Sequence, residues 1–224
     1  MGAKFRNEWK HEITASDRIC LRQRLGAVMK RDPHAVDGVY EIRSLYFDNL
    51  ADKALREKID GVNRREKFRI RYYNGDKSFI SLEKKSKLNG LCNKVSTRLT
   101  EEQAGMIVNG EYGWMPEGAP LVQELYAKIL SQGLRPMTIV DYTREPFIYA
   151  PGNVRVTIDY NIRTGLRCTD LLNWDCVTIP VRDAPILLEV KWDEYLPEVI
   201  RQAVQLGSRR AEAFSKYAAC RMYG

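Results

Sequence analysis

Residues 67–85 run Lys67-Phe68-Arg69-Ile70-Arg71-Tyr72-Tyr73-Asn74-Gly75-Asp76-Lys77-Ser78-Phe79-Ile80-Ser81-Leu82-Glu83-Lys84-Lys85, two alternating segments hinged on an Asn-Gly pair. A strand sends successive side chains to opposite faces, so Lys67, Arg69 and Arg71 share one face and Phe68, Ile70 and Tyr72 the other. Asn74-Gly75 is the pair that a type I′ turn prefers, which predicts a hairpin. The same period recurs at a distance. Arg155, Thr157 and Asp159 alternate with Val154, Val156 and Ile158, and Glu189 and Lys191 alternate with Leu188, Val190 and Trp192. Arg6, Glu8, Lys10 and Glu12 stand against Trp9 and Ile13.

An antiparallel sheet with one wet face produces this alternation, and alternation alone favours a solvated face. Two details point elsewhere. The cations are mostly arginines, which fork onto phosphate oxygens. The glutamates sit inside the basic stripes, a mixture that suits a metal bridging carboxylate and phosphate.

The balance of 36 basic against 29 acidic residues, a net charge of +7, predicts an acidic ligand without choosing among phosphates, nucleotides and nucleic acid. At 224 residues there is material for one large domain, expected over residues 1–224. No apolar run reaches membrane-spanning length and the N-terminus is charged, so a cytoplasmic protein without membrane insertion is expected. Cys20, Cys92, Cys168, Cys176 and Cys220 lack CxxC spacing and read as reduced, buried thiols rather than a zinc site. His11 and His34 are the only histidines, which leaves histidine-based catalysis little to draw on.

Thr14-Ala15-Ser16-Asp17 and Thr100-Glu101-Glu102-Gln103 read as capping boxes opening helices. Strands are expected near residues 5–13, 39–47 and 93–99, with Asn89-Gly90 and Pro151-Gly152 as further turns. Ile19, Leu25, Val28 and Met29 mark the core face of the first helix. Leu121, Leu125, Ile129 and Leu130 mark that of a later one. Two helices, near residues 197–206 and 208–222, end the chain. About eight mostly antiparallel strands with amphipathic helices make an α+β fold. If the helices cover the apolar faces from outside, the charged faces point into a closed or nearly closed barrel, a polar tunnel with room for one slender ligand.

Eight segments carry a family resemblance: Arg6-Asn7-Glu8-Trp9-Lys10, Ser44-Leu45-Tyr46-Phe47-Asp48, Phe68-Arg69-Ile70-Arg71-Tyr72-Tyr73, Leu82-Glu83-Lys84-Lys85, Tyr142-Thr143-Arg144-Glu145-Pro146-Phe147, Arg155-Val156-Thr157-Ile158-Asp159, Leu188-Glu189-Val190-Lys191 and Phe214-Ser215-Lys216-Tyr217. In this order the chain resembles the polyphosphate polymerase domain of the vacuolar transporter chaperone (VTC) family, within the triphosphate tunnel metalloenzymes. The order Glu8-x-Lys10-x-Glu12 fits that branch better than the E-x-E-x-K of the related CYTH branch. The resemblance implies an eight-stranded antiparallel tunnel with basic walls, binding ATP and inorganic polyphosphate. By it, Arg69, Arg71, Lys85, Arg144 and Arg155 are the catalytic cations, and Lys10, Lys94, Tyr142, Ser215 and Lys216 bind substrate. Glu189 ligates a divalent metal, Mn²⁺ or Mg²⁺. Lys191 is either a further phosphate contact or the partner of Glu189. Ala213 stands where members of the family often carry a basic residue.

The implied activity is transfer of the ATP γ-phosphate to a growing polyphosphate chain. A triphosphatase or a non-catalytic polyphosphate-binding protein are the alternatives, and a nucleic-acid-binding module ranks last. Glu8, Glu83 and Asp159 are expected to orient arginines, and Tyr46, Phe47 and Trp192 to lie in the core. Arg209-Arg210 reads as solvated.

Overall fold

The computed structural model of the chain describes residues 6–88, 91–207 and 214–222. The expected Asn89-Gly90 turn, the start of the last helix at Ser208, Arg209-Arg210 and Ala213 lie outside the described residues. Among the described residues ten strands are formed: β1 (Asn7–Ile13), β2 (Lys30–Arg31), β3 (Tyr40–Asp48), β4 (Arg65–Tyr73), β5 (Asp76–Leu88), β6 (Leu91–Leu99), β7 (Arg135–Tyr149), β8 (Val154–Thr164), β9 (Ile179–Pro180) and β10 (Ile186–Trp192). The helices are α1 (Ala15–Val28), α2 (Lys53–Ile59), α3 (Glu101–Asn109), α4 (Pro120–Gln132), α5 (Glu198–Ala203) and α6 (Lys216–Arg221). The α+β class and the eight-strand antiparallel path expected from the alternation are borne out; β2 and β9 are two-residue additions to it.

The chain divides into two compact units. The first comprises residues 1–41, 142–162 and 182–214. Its hydrogen-bonded neighbours run β1, β10, β8 and the last part of β7. Register fixes the faces. Lys10 stands opposite Glu189 and Glu8 opposite Lys191 on the β1–β10 side, while Thr157 stands opposite Glu189 and Arg155 opposite Lys191 on the β10–β8 side. The alternate residues Ile13, Leu188, Val190, Val154, Val156 and Ile158 are buried with Leu21 and Leu25 of α1 and Ile200 and Ala203 of α5. Helices therefore cover the apolar side and leave the charged side to solvent or ligand. The Thr14–Asp17 capping box forms as read, with both reciprocal bonds present. At the β7–β8 turn, Gly152 takes φ +72°, and a Cβ there would sit 2.6 Å from the Tyr195 carbonyl oxygen, so only glycine fits.

The second unit comprises residues 42–141, 163–181 and 215–224 and orders its strands as the first part of β7, then β3, β4, β5 and β6. Asn74 and Gly75 adopt φ 53° and 70°, the positive pair that a type I′ turn demands. Leu45, Phe47, Phe68, Ile70, Tyr72, Ile80, Leu82 and Leu99 form one buried cluster with Ala104 and Ile107 of α3 and Leu121, Val122 and Leu125 of α4. Lys84 also points to this side, where its ammonium meets Glu124 of α4 at 2.5 Å. The Tyr72 hydroxyl donates to the Leu171 carbonyl at 2.7 Å, tying the 165–178 loop to the core.

Several expectations are corrected. Ile19 and Leu130 are exposed, at 60% and 67%, because Leu21 and Val122 take the core positions beside Leu25 and Leu121. Helix α5 has six residues, shorter than its pattern suggested, and among the described residues of the last helix only Lys216–Arg221 are helical. Strand β7 begins at Arg135, where a continuous buried run, Thr138-Ile139-Val140, hides the alternation. Cys20 is exposed, so burial is not common to the thiols.

Candidate phosphate and metal site

In the second unit three rows of side chains cross the sheet on the face opposite α3 and α4. Lys67, Lys85 and Lys94 stand opposite one another on β4, β5 and β6. Tyr46, Arg69, Glu83 and Ser96 make the next row, and Ser44, Arg71, Ser81 and Arg98 the third. Like charges directly opposite on a sheet repel, so a row of three lysines is tolerated at a cost that an anion would remove. Glu83 is the carboxylate set among them. It accepts from Arg69 Nε at 2.7 Å and from Lys94 Nζ at 3.0 Å. Burial pushes the Glu83 carboxyl up, but Arg69, Arg71 and Lys94 outweigh it and hold the group well below the usual carboxylate range.

That depression has a pH consequence. A carboxylate with a lowered folded pKa adds stability that is present above its ordinary value near 4.5 and is lost as pH falls below it toward the folded value. Thermal melts are expected to show an acid limb below about pH 4.5 that flattens in Glu83→Gln. An unchanged limb in that variant would assign acid sensitivity to other groups.

Tyr46 is buried as expected, but on this polar side of the sheet and outside the apolar cluster. Its hydroxyl accepts from Arg69 Nη1 at 2.8 Å. Burial alone would raise the phenol, yet Arg69, Arg71 and Lys216 together bring it below its ordinary value, which registers how positive this face is. Tyr46 stacks on Tyr217 at 5.0 Å between centroids, and the Tyr217 hydroxyl donates to Asp48 at 2.6 Å. Ser215 caps α6, accepting from the Ala218 amide at 3.3 Å, and its Oγ also accepts from Lys67 Nζ at 3.3 Å. The Phe214–Tyr217 segment is thus seated against β3 and β4 from Ser215 onward. Arg71 Nε donates to Ser44 Oγ at 2.8 Å. Arg98 turns aside from the row, its guanidinium donating to the Ser78 carbonyl and lying over the Phe79 ring.

The charged face of the first unit is balanced. Glu189, 5% exposed, meets Lys10 and Lys191 at 3.1 Å each and Arg144 at 3.7 Å. Glu8 meets Lys191 at 3.1 Å and Lys10 at 3.5 Å. Asp159, fully buried, takes Arg144 in a two-point fork, Nε and Nη2 each at 2.7 Å. Three carboxylates thus answer three cations. Burial would lower Lys10, but Glu189 and Glu8 overcome it and keep the ammonium charged well above its ordinary range. Arg144 is raised likewise, burial being outweighed by Asp159. Its guanidinium lies 5.4 Å from the centre of the Tyr142 ring. Arg155 pairs with Asp32 at 3.3 Å. Lys191 does contact Glu189, one of the two roles left open for it. Phe47 is in the core of the second unit, and Trp192 packs at the edge of the first unit's core against Trp9, 4.7 Å between centroids.

Among the described residues no three His, Cys, Asp or Glu side chains are grouped to hold a metal ion. The residues fit a different arrangement, in which one carboxylate shares a hard divalent ion with phosphate oxygens. Glu189 is the carboxylate that would serve it; the Lys10, Lys191 and Arg144 charges around it would repel a bare ion, so the ion would have to arrive with its phosphates. The buried Thr157 hydroxyl opposite Glu189, with no hydrogen-bond partner in the structure, adds a polar atom to the same row.

The VTC domain model matches residues 5–223, and with it the motifs fall in order along nearly the whole chain. The chain belongs to the VTC domain family. This bears out the resemblance drawn from the eight motifs. No curated protein is significantly similar to the chain in sequence. Among solved structures, it is similar to a candidate adenylyl cyclase from Hippeastrum that reveals a dominant triphosphatase activity. The TM-score is 0.59 and the identity 13%, over 97% of this chain and 96% of that one. A candidate adenylate cyclase from Bacillus halodurans gives 0.53 at 13% identity, covering 85% and 82%. Another from Vibrio parahaemolyticus gives 0.52 at 9%, covering 95% and 97%. At such identities the likeness concerns the fold. Among the described residues no helix is long and apolar enough to cross a membrane.

The structure thus groups Arg69, Arg71, Lys85, Lys94, Ser215 and Lys216 in the second unit, and Lys10, Tyr142, Arg144, Arg155, Glu189 and Lys191 in the first. Sequence reasoning left out Lys67, Tyr46 and Thr157 as site residues. The strand phase shared with Arg69 and Arg71 marked Lys67, and the phase shared with Arg155 and Asp159 marked Thr157.

Proposed function

We propose that this VTC domain is a metal-dependent polyphosphate polymerase that transfers the γ-phosphate of ATP to the end of a polyphosphate chain. The observation that carries this reading is the set of aligned cation rows, Lys67-Lys85-Lys94 beside Arg69 and Arg71, in a chain of this family. In the transfer a terminal phosphate oxygen of the chain attacks the γ-phosphorus, the bond to the β–γ bridging oxygen breaks, and ADP leaves with the electron pair. The nucleophile is already an anion, so no general base is needed, in keeping with two histidines in the whole chain. What the reaction asks of the protein is positioning and neutralisation of charge spread over phosphate oxygens. Arg69 and Arg71 offer forked donors for that purpose, held in place by Glu83, Tyr46 and Ser44. Lys67, Lys85, Lys94 and Lys216 add point charges. In the first unit Lys10, Lys191, Arg144 and Arg155 are the phosphate donors and Tyr142 a hydroxyl partner. Glu189 would hold a divalent ion, Mn²⁺ or Mg²⁺, which supplies Lewis-acid withdrawal of charge from the phosphates.

A second reading is hydrolysis of a triphosphate on the same residues, water replacing the chain end as nucleophile. The triphosphatase activity of the structurally similar Hippeastrum protein favours it. The test is product analysis after incubation with ATP and Mn²⁺, resolving ADP, free phosphate and polymer, with an Arg71→Ala, Glu189→Gln double variant as the blank. ADP matched by polymer and absent from the blank is the expected result. ADP matched by free phosphate would replace polymerase with triphosphatase, and no turnover would overturn both.

A further inference from the structure

Buried polar atoms are almost always hydrogen-bonded, and an orphan calls for an explanation. Two such orphans lie on one face of β8, two residues apart. Thr157, 3% exposed, has an Oγ1 with no hydrogen-bond partner. Arg155 has a buried Nε in the same condition, although its Nη2 reaches Asp32. Both are donors, and register sets them beside Glu189 and Lys191 respectively. The Lys191 ammonium and two unfilled donors on adjacent rows, beside the Glu189 carboxylate, make a cradle for an anionic oxygen. Around Thr157, the side chains of its row are Glu189 and Lys10. Lys10 is paired with Glu189 and Glu8 in that row.

We propose that Thr157 is a substrate-binding residue, its hydroxyl donating to an oxygen of the phosphate held beside Glu189, with Arg155 Nε as the adjacent donor. This rests on the reading of the charged faces as a triphosphate site. A structural threonine would bond its hydroxyl to the fold; this one is buried without doing so. Keeping it is unfavourable in the free protein, since an unsatisfied buried hydroxyl loses its hydration and gains nothing. Valine has the same shape without the hydroxyl, which makes the proposal sharply testable.

Tripolyphosphate binding is measured calorimetrically on the wild type, Thr157→Val and Thr157→Ser, once with EDTA and once with Mn²⁺, alongside ligand-free melts. Thr157→Val is expected to melt at or above the wild type without ligand, while its Kd for tripolyphosphate weakens roughly 10-fold in both arms. Thr157→Ser, which keeps the hydroxyl, is expected to bind within about twofold of the wild type, a difference of about 0.4 kcal/mol. A loss confined to the Mn²⁺ arm would place the hydroxyl on metal-bound water and overturn the phosphate assignment. Equal binding by valine and wild type, or a valine variant that melts lower unliganded, would overturn it as well, leaving the triphosphate site standing. If tripolyphosphate fails to bind the wild type, the site reading and this inference fall together.

Discussion

Glu83→Gln is expected to lower the melting temperature of the free protein by roughly 6–12 °C, the largest stability loss among the charged residues of the site. Glu83 is 3% exposed and lies between Arg69 and Lys94, with Arg71 contributing to the field on it. The amide is nearly isosteric, so packing survives and the effect is electrostatic. Removing one partner of a buried pair strands the other, which costs about 3 kcal/mol or more. In a chain of this length each kcal/mol moves the melting point by about 2–4 °C. The direction of ligand rescue is the informative part. Stranded Arg69 and Lys94, beside the Lys67-Lys85-Lys94 row, raise the affinity for a polyanion. Tripolyphosphate at about 100 times its Kd adds about 2.7 kcal/mol to any form that binds it. At one fixed ligand concentration the variant should therefore gain more degrees than the wild type. Differential scanning fluorimetry with and without tripolyphosphate reads both effects. A variant that melts with the wild type would overturn the stabilising role, and one that ligand fails to rescue would mean Glu83 serves the fold alone.

Much of the fold was legible because two periods dominate it. Alternation over residues 67–85, closed by Asn74-Gly75, placed β4 and β5 and told which side was apolar, since a strand's side chains have no third direction. Capping boxes at Thr14 and Thr100 placed the starts of α1 and α3 for an equally local reason. What failed was set by tertiary context. Ile19 reads as core and is exposed, because the exact rotation of α1 on the sheet depends on Leu21 finding its slot. Strand β7 was concealed over Thr138-Ile139-Val140, where burial on both faces removes the alternating signal.

Within the site, sequence phase identified the residues of each charged face but not their pairings. Strand phase alone placed cations on each charged face without saying how far carboxylates balance them. The structure is mixed in this respect. The first unit balances Glu8, Asp159 and Glu189 against Lys10, Arg144 and Lys191, and the second concentrates Lys67, Arg69, Arg71, Lys85, Lys94 and Lys216 around Glu83. Cross-strand register produces that contrast, and register depends on turn geometry and packing that no single strand encodes. Tyr46 was assigned to the core for the same reason. It is aromatic and buried, and only its place opposite Arg69 reveals that it faces the charges.

The contrast between the units leads to opposite expectations for the two buried glutamates. Glu189→Gln is expected to reduce metal-dependent turnover by about 10²–10³-fold, the scale at which single electrostatic groups act in a transition state. Its effect on stability should be smaller than that of Glu83→Gln. Each cation that Glu189 holds has a second carboxylate: Lys10 and Lys191 keep Glu8, and Arg144 keeps its fork to Asp159. Removing one negative charge from a balanced set leaves it positive, so tripolyphosphate without metal should bind at least as tightly as to the wild type. Turnover and affinity thus part company: the rate falls, the metal-free Kd stays level or improves, and the Mn²⁺ dependence of binding shrinks. A titration of tripolyphosphate with EDTA and with Mn²⁺, beside the rate measurement, decides the matter. If Kd weakens in EDTA as much as the rate falls, Glu189 acts by arranging Lys10 and Lys191, and the metal must be sought on other residues. If Mn²⁺ continues to tighten binding to the variant as it does to the wild type, Glu189 holds no metal at all.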